Sequence, residues 1–223
     1  MASNETILEI KNISKTFPGV KALQNVNFDL KRGEVHALVG ENGAGKSTLI
    51  KILAGVYRPD KGGEIKLGWT DTAITDPIAS IRAGISVIYQ DISLFPNLSI
   101  EENICIGNVK GAFINRTEQR RIAQDALRIL GIEVNPSTML GDVSIGVQQL
   151  VAIAKAVHFD AKVIIMDEPT ASLSSAEVNR LYEIVEKLRE RGITILYISH
   201  KLEEVFRLAD RITVLRDGHC IGT

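Results

Sequence analysis

Apolar and polar residues follow two different periods along this chain. A period of two appears in the first thirty residues, where Val26, Phe28 and Leu30 alternate with polar positions, and this alternation predicts strands. Short, mostly apolar runs of the kind that form buried strands recur at 35–39, 85–89, 163–166, 193–198 and 212–215.

Helical periodicity lies between these runs. Apolar residues within 181–188 fall on one helical face, and Ser174 with Glu177 offers a capping box in front of it. A second helix is predicted to end at Gly131. The stretch 91–159 has helical patterns but no good strand, which predicts a helical insert. Because buried strands alternate with helices elsewhere, the sequence predicts an α/β fold with a parallel sheet covered on both faces.

Composition and charge narrow the class of protein. The 223 residues hold 26 Lys and Arg against 27 Asp and Glu, which argues against a nucleic-acid binder that works through bulk positive charge. The longest stretch without a charged residue, Val143–Ala154, has twelve residues. A membrane-spanning helix needs about twenty. The N-terminus shows no secretory pattern, and Cys105 and Cys220 form neither a disulfide framework nor a metal-ligand spacing, as expected in a reducing cytoplasm.

The sharpest motif is a glycine-rich loop that fits G-x-x-x-x-G-K-[ST] at every fixed position. It follows the run 35–39 and precedes a helix that is predicted to begin at Lys46 and to stop near Gly55. Lys46 would reach the β- and γ-phosphates of a nucleotide, and the Ser47 hydroxyl would ligate Mg²⁺. The alternative is an ordinary glycine-rich turn, and the motif by itself indicates a P-loop nucleotide-binding protein without saying which kind. Its residues are Gly40, Glu41, Asn42, Gly43, Ala44, Gly45, Lys46, Ser47 and Thr48.

Residues able to touch phosphate, metal or water follow other apolar runs. Asp167 and Glu168 come directly after 163–166, so Asp167 would lie near Mg²⁺, directly or through water, and Glu168 could polarise an attacking water. Gln90 and His200 follow two further runs. Each alone is weak, since a solvated strand end or a polar cap is the more frequent explanation for such a residue. Their agreement at strand ends, where parallel sheets bind ligands, favours a functional site.

Together these residues resemble the ATPase subunit of ATP-binding cassette (ABC) transporters, over nearly the whole chain. The resemblance assigns 40–48 to Walker A and 163–167 to Walker B, with Glu168 at the catalytic base position. It makes Gln90 the Q-loop glutamine and His200 the switch histidine.

The resemblance also implies how the chain is divided into subdomains, and it assigns a role to residues 171–173 and to Phe17. Residues 171–173 match the D-loop, and Phe17 matches the aromatic that stacks on adenine, although a lone Phe is more often part of a core. The implied fold is a P-loop NTPase core with a mostly parallel sheet, an N-terminal antiparallel β subdomain and an inserted α-helical subdomain. The expected parts of this single domain, 1–223, are antiparallel β at 1–34 and 62–75, core at 35–61, 76–91 and 160–223, and helical with the signature at 92–159.

The signature, usually Leu-Ser-Gly-Gly-Gln in this family, is altered here. Ser144 and Gly146 match, whereas Ile145 replaces the first glycine and Val147 replaces the glutamine. In the family this loop reaches across a dimer to the other subunit's γ-phosphate. Ile145 restricts the backbone and Val147 removes an amide, so a weakened signature is expected. By spacing alone, a helix N-terminus capped by Ser144 fits as well.

Finer details resemble one branch of the family, the monosaccharide importers related to ribose, galactose and xylose uptake. The marks are the P-loop sequence and the stretches 83–85, 95–104 and 197–205. Members usually carry two cassettes in one longer chain, and this sequence looks like the N-terminal cassette, with a good Walker A and a divergent signature. One competent ATP site is then implied, made from Lys46, Glu168 and His200 with the signature of a second cassette, in the same longer chain or in a dimer mate.

The hypothesis is ATP hydrolysis that drives import of a monosaccharide or related small polar solute. The expected cofactors are ATP and Mg²⁺, the latter held by Ser47, Gln90 and Asp167. Gln90 would couple to a transmembrane permease, and 91–104 would face a groove for a short permease helix. A solute-binding protein would be an indirect partner, no nucleic acid is expected, and the chain would lie peripherally on the cytoplasmic face of the cell (inner) membrane.

Three other functions stay open at this point. A non-transport ABC ATPase is disfavoured mildly by the near-zero net charge. A nucleotide-dependent clamp with little hydrolysis is favoured by the altered signature and disfavoured by the intact Glu168. Another P-loop enzyme, such as a kinase, would need an acceptor site, for which the sequence offers no candidate. The solute itself is not encoded in this chain.

Overall fold

The computed structural model describes residues 5–90, 93–107 and 115–223. Its strands are β1 Thr6–Phe17, β2 Val20–Lys31, β3 Val35–Val39, β4 Glu64–Leu67, β5 Ile85–Ile88, β6 Val163–Asp167, β7 Thr194–Ile198, β8 Arg211–Arg216 and β9 His219–Gly222. Its α-helices are α1 Lys46–Leu53, α2 Pro77–Arg82, α3 Ile100–Cys105, α4 Arg116–Leu130, α5 Ile145–His158, α6 Ser175–Glu190 and α7 Leu202–Leu208, and a 3₁₀ turn spans Leu140–Asp142.

A six-stranded sheet, in the order β5-β6-β7-β3-β8-β9, forms the centre of the molecule. All neighbouring pairs are parallel except the edge pair β8-β9. Helices connect the parallel strands and bury both faces, so the predicted α/β fold with a mostly parallel sheet is confirmed. The register sets Ile198 beside both Leu38 and Asp167, which brings the carboxyl ends of β3, β6 and β7 to one edge.

A second, antiparallel sheet in the order β2-β1-β4 packs over one face of the central sheet. Its inward residues share a hydrophobic core with α1 and with Ile165 and Leu196 of the central sheet. The opposite face packs against α4, α5 and α6 in a separate core, to which Ile164 and Tyr197 contribute. Successive residues of β6 therefore point into different cores, as expected for a strand that is buried on both sides.

The segment between β5 and β6 is helical, as the sequence predicted. Its described residues carry α3, α4, α5 and the 3₁₀ turn, and their only β pairing is an isolated bridge between Ser99 and Met139. Gly131 ends α4 in the left-handed conformation, and Ser174 with Glu177 forms the predicted capping box of α6. Within the described part of the chain, no helix is both long and apolar enough to span a bilayer.

The structure differs from the predicted pattern at two strand boundaries and in two short elements that the sequence did not predict. β5 ends at Ile88, one residue before Tyr89, and β6 includes Asp167. The sequence did not predict helix α2. Its apolar residues Ile78 and Ile81 are both exposed, so this helix lacks the buried apolar stripe by which most surface helices are recognised. Strand β9 has four residues and pairs at the sheet edge, which gives too short a pattern to recognise.

Candidate active site

Residues 40–45 form the turn from β3 into α1, and two of the glycines are required by their surroundings. A Cβ at Gly40 would lie 2.2 Å from the Leu215 carbonyl oxygen. Gly45 has φ +106°, and a Cβ there would lie 2.5 Å from the Ala22 oxygen. Gly45 is also the N-cap of α1, with no side-chain cap and no acidic residue in the first turn. The positive end of α1 is therefore open to an anion.

Lys46 is buried within this loop, with its side chain folded back over it. It is 8% exposed, and its Nζ donates to the carbonyl oxygens of Gly40 at 2.6 Å and Glu41 at 3.0 Å. An ammonium has three donors and no acceptor, so it can serve these carbonyls and still meet a phosphate oxygen. Ser47 and Thr48 follow in the first turn of α1.

Asp167 ends β6 and Glu168 follows it, at the sheet edge where β3 leads into the loop. Burial and the neighbouring Glu168 charge raise the pKa of Asp167, while Lys46 and Lys51 pull it down. The Asp167 carboxyl therefore lies in the electrostatic field of two lysines from α1.

Glu168 is held in an unusual backbone conformation. Its φ is +46°, and its N–H donates to the Ile198 oxygen at 2.9 Å. A non-glycine residue with positive φ is strained and persists only where the surroundings hold it. The bond to Ile198 ties Glu168 to β7, and it brings Glu168 Oε1 within 3.0 Å of His200 Nδ1. The structure thus joins two predicted site residues that are 32 positions apart.

Gln90 shares a cleft with Glu168. The cleft has a volume of about 280 Å³, and α5 lines its other wall with Ile145, Gln148 and Gln149. Gln149 is 3% exposed, and its Nε2 is the one buried side-chain donor without a hydrogen-bond partner in the described ranges. Sequence reasoning missed Gln149 because it looked like an ordinary residue of the α5 helix.

The predicted metal ligands have the chemistry that magnesium requires. Ser47, Gln90 and Asp167 offer oxygen donors, and Mg²⁺ prefers one or two protein oxygens together with phosphate and water. Among residues 5–90, 93–107 and 115–223, no group of three or more His, Cys, Asp or Glu side chains is arranged to hold a metal. By the chemistry of their oxygen donors, the three predicted ligands fit a magnesium that is held mainly by a nucleotide.

Phe17 ends β1 at the hairpin beside the P-loop. Its ring packs edge-to-face against Tyr57, with centroids 5.2 Å apart, and it is half-exposed outside the core. Across the hairpin it pairs with Val20, and Ala22 further along β2 touches Gly45. Phe17 therefore lies on the strand pair that borders the P-loop.

The segment predicted to be an altered signature forms the N-terminus of α5, where a carboxylate already lies. Ser144 is the N-cap, and its Oγ donates to Glu177 Oε1 at 2.9 Å. Hydrogen bonds from Ser174, Ser144 and the Gly146 backbone hold the pKa of Glu177 below its usual range. The sequence signalled Glu177 only as a capping residue of α6 and gave no sign that it reaches α5.

Comparison with known proteins gives a consistent result. The family model for ABC transporters matches residues 23–171. A ribose import ATP-binding protein of Burkholderia ambifaria is 48% identical over 99% of this chain and 44% of its own length. A ribose import ATP-binding protein of Rubrobacter xylanophilus is 49% identical over 97% of this chain and 44% of its own length. The chain therefore spans less than half the length of these relatives.

Two solved structures with the same fold are ATP-binding cassettes. A cassette of an ABC transporter, MJ1267, has a TM-score of 0.87 at 28% identity, covering 98% of this chain and 91% of its own. The dimeric cassette MJ0796 bound to ADP and Pi has a TM-score of 0.79 at 29% identity, covering 97% of both chains.

Proposed function

The chain belongs to the ABC transporter family as an ATP-binding cassette, and from this premise we propose that it hydrolyses ATP to power import of a monosaccharide or related small polar solute. The observation that carries the proposal is the contact of Glu168 with His200 at the edge of the sheet where the P-loop lies. The import of ribose is supported by the names of relatives at 48–49% identity.

The site residues divide the work of phosphoryl transfer to water. The α1 N-terminus and Lys46 bind the phosphates and stabilise charge that develops on the transferred group. Glu168 takes the proton of the attacking water, and the contact of one of its oxygens with His200 orients the carboxylate. Ser47, Gln90 and Asp167 would hold magnesium, which would neutralise phosphate charge.

The sharpest test is Glu168→Gln. This change keeps the shape of the side chain but removes the proton acceptor, so turnover should fall by on the order of a hundredfold or more while MgATP affinity stays the same. Steady-state hydrolysis and nucleotide binding would be measured in parallel, with Glu203→Gln on the exposed face of α7 as the matched control. Undiminished turnover in Glu168→Gln would show that Glu168 is not the base.

A second cassette should complete the site. In this chain Ser144 and Gly146 already bind Glu177, and Ile145 and Val147 depart from the family pattern. The signature that contacts ATP at Lys46 would then come from another cassette, in the same longer chain or in a dimer mate. A nucleotide-dependent clamp predicts the opposite outcome, which is MgATP binding without hydrolysis even when that cassette is present.

A groove next to the candidate site fits the permease partner. Its volume is about 1000 Å³, and its wall includes α2, the end of β5, residues 93–95 and the end of α5. Ile78 and Phe95 are 61% and 52% exposed, which gives the groove an apolar surface for a short helix. Of the stretch expected to face this groove, Asp91 and Ile92 lie outside the described residues.

The groove is connected to the antiparallel sheet through Trp69. Its indole Nε1 donates to the Ala83 oxygen at 2.7 Å, just after α2. A permease helix in the groove would thus contact an element anchored to the body of the cassette. With the permease as its partner, the chain would lie peripherally on the cytoplasmic face of the inner membrane, and a solute-binding protein would act through the permease.

A further inference from the structure

A buried carboxylate, Glu204, lies behind the candidate site in the first turn of α7. It is 6% exposed, and although it lies in the stretch 197–205 that resembles the importer branch, the sequence assigned it no role. Four donors surround it: Thr170 Oγ1 at 2.6 Å, Tyr197 OH at 2.9 Å, Ser199 Oγ at 3.0 Å and Lys201 Nζ at 3.2 Å.

Glu204 stays charged in spite of its burial. Burial alone raises its pKa, but the bonds from the surrounding donors outweigh burial and hold the pKa below its usual range. Burial and the Glu204 charge also raise the pKa of the Tyr197 phenol, which keeps that hydroxyl a donor. A buried charge that is fully bonded gives a rigid arrangement, because any displacement leaves it unpaired.

The donors come from both segments that carry the candidate base and the candidate histidine. Thr170 is two residues after Glu168, and Ser199 and Lys201 flank His200 on either side. The network is closed, since the Thr170 hydroxyl accepts from Lys201 Nζ at 3.3 Å and the Ser199 hydroxyl accepts from the Lys201 N–H at 3.0 Å.

We propose that Glu204 is a positioning residue for hydrolysis, which sets the separation of Glu168 and His200 by holding their two segments together. The proposal rests on the proposed function, in which that pair acts on water and the γ-phosphate. The His200 side chain is 59% exposed, so its position depends more on the hydrogen bonds made by its neighbours Ser199 and Lys201 than on packing. Glu204 itself acts only through the two loops and touches no reacting atom.

The first experiment needs no hydrolysis. Glu204→Gln keeps the shape of the side chain and removes its charge, and Glu203→Gln makes the same change at an exposed neighbour. The imidazole NMR signal of His200, assigned with His200→Ala, should shift in Glu204→Gln and stay in place in Glu203→Gln. Thermal unfolding of each variant would establish that it is folded. An unmoved His200 signal in folded Glu204→Gln would overturn the proposal.

A second variant and a kinetic measurement complete this experiment. If Glu204→Gln does not fold, Tyr197→Phe removes one donor and retains the charge and the ring, and an unmoved His200 signal in that variant would likewise overturn the proposal. In the active assembly with its second cassette, Glu204→Gln should lower kcat by on the order of tenfold with KM for ATP unchanged.

A double variant separates positioning from a general loss of stability. Glu204→Gln should add little to the loss of kcat caused by His200→Ala, because the separation of Glu168 from the imidazole no longer matters once the imidazole is absent, whereas full additivity would contradict the proposal. The proposed function has its own test: it fails if Glu168→Gln hydrolyses ATP as fast as the unchanged chain. The His200 NMR signal would still test whether Glu204 positions His200, because that measurement does not depend on hydrolysis.

Discussion

Glu177 serves two helix N-termini at the same time. Its Oε2 accepts from the Ser174 N–H at 3.0 Å and from the Ser174 Oγ at 2.8 Å, which completes the capping box of α6. Its Oε1 accepts from Ser144 Oγ, and a Cβ at Gly146 would lie 2.3 Å from that same oxygen. The positive end of α5 is therefore already neutralised by a carboxylate, and a phosphate approaching it would meet a like charge.

Replacing Glu177 with Gln should make this surface more receptive to phosphate. We expect Glu177→Gln to raise ATP turnover by the chain alone about fivefold, with a steeper dependence on chain concentration, since removal of the like charge favours a dimer in which α5 contacts ATP. Steady-state hydrolysis over a concentration series would measure this.

The matched control for this change is Ser174→Ala. It removes the side-chain cap of α6 but leaves the carboxylate on α5, so it should cost about 1 kcal/mol of stability without raising turnover. Equal turnover in Glu177→Gln and the unchanged chain would contradict this expectation and would leave Ile145 and Val147 as the candidates for a weakened signature.

At the scale of elements, an ionic network joins the two sheets. Arg211 of β8 donates to Asp29 of β2 at 2.8 Å and to Glu34 at 3.2 Å. Glu34 is 1% exposed, and its Oε1 also lies 3.1 Å from Nδ1 of the buried His36. The antiparallel sheet is thus fixed to the central sheet by a partly buried arginine as well as by the shared apolar core.

Loss of Arg211 should destabilise the fold, because Glu34 would remain buried with a weaker set of partners. Arg211→Ala is expected to lower the free energy of unfolding by about 3 kcal/mol. Arg216→Ala, on the same strand, removes an exposed pair with Asp217 and should change stability very little. Denaturant unfolding would measure the loss of unfolding free energy in both variants. Equal losses would mean that the Arg211 network stabilises the fold no more than an exposed ion pair does.

The elements differ in how far the sequence could predict them. The strands β3, β6 and β7 and the P-loop turn were predictable because apolar runs and glycine spacing are local patterns. The contact of Glu177 with Ser144 joins residues 33 positions apart, and that of Glu204 with Thr170 joins residues 34 apart. No local pattern encodes such contacts, since they arise when α5, α6 and α7 pack on the sheet. The roles of the site residues stay predictions until activity is measured.

At the scale of the whole molecule, the adjacent acids at the end of β6 affect stability. Burial and the Glu168 charge raise the pKa of Asp167 above its unfolded value. The folded state then binds the proton more tightly, so the contribution of Asp167 to stability is full below the unfolded pKa and is lost as pH rises through the folded pKa. At neutral pH the Asp167 charge therefore opposes folding.

Removal of this charge should stabilise the nucleotide-free protein. Asp167→Asn is expected to raise the thermal midpoint by a few degrees at pH 7, and the gain should shrink as pH falls toward the ordinary range of a carboxyl. Asp71→Asn, at an exposed position, should show no such trend. A midpoint that falls at pH 7 in Asp167→Asn would mean that attraction to Lys46 and Lys51 outweighs burial.

The chain contains a single tryptophan, and its position gives it an optical use. Trp69 bonds to the Ala83 oxygen, and its Nε1 would lie 3.4 Å from a Cβ at Gly84, at the start of β5. Indole emission responds to the polarity and hydrogen bonding around the ring. The intrinsic fluorescence of the unlabelled protein therefore reports on the α2–β5 corner that borders the groove, and a groove ligand that displaces α2 would change this emission without an added dye.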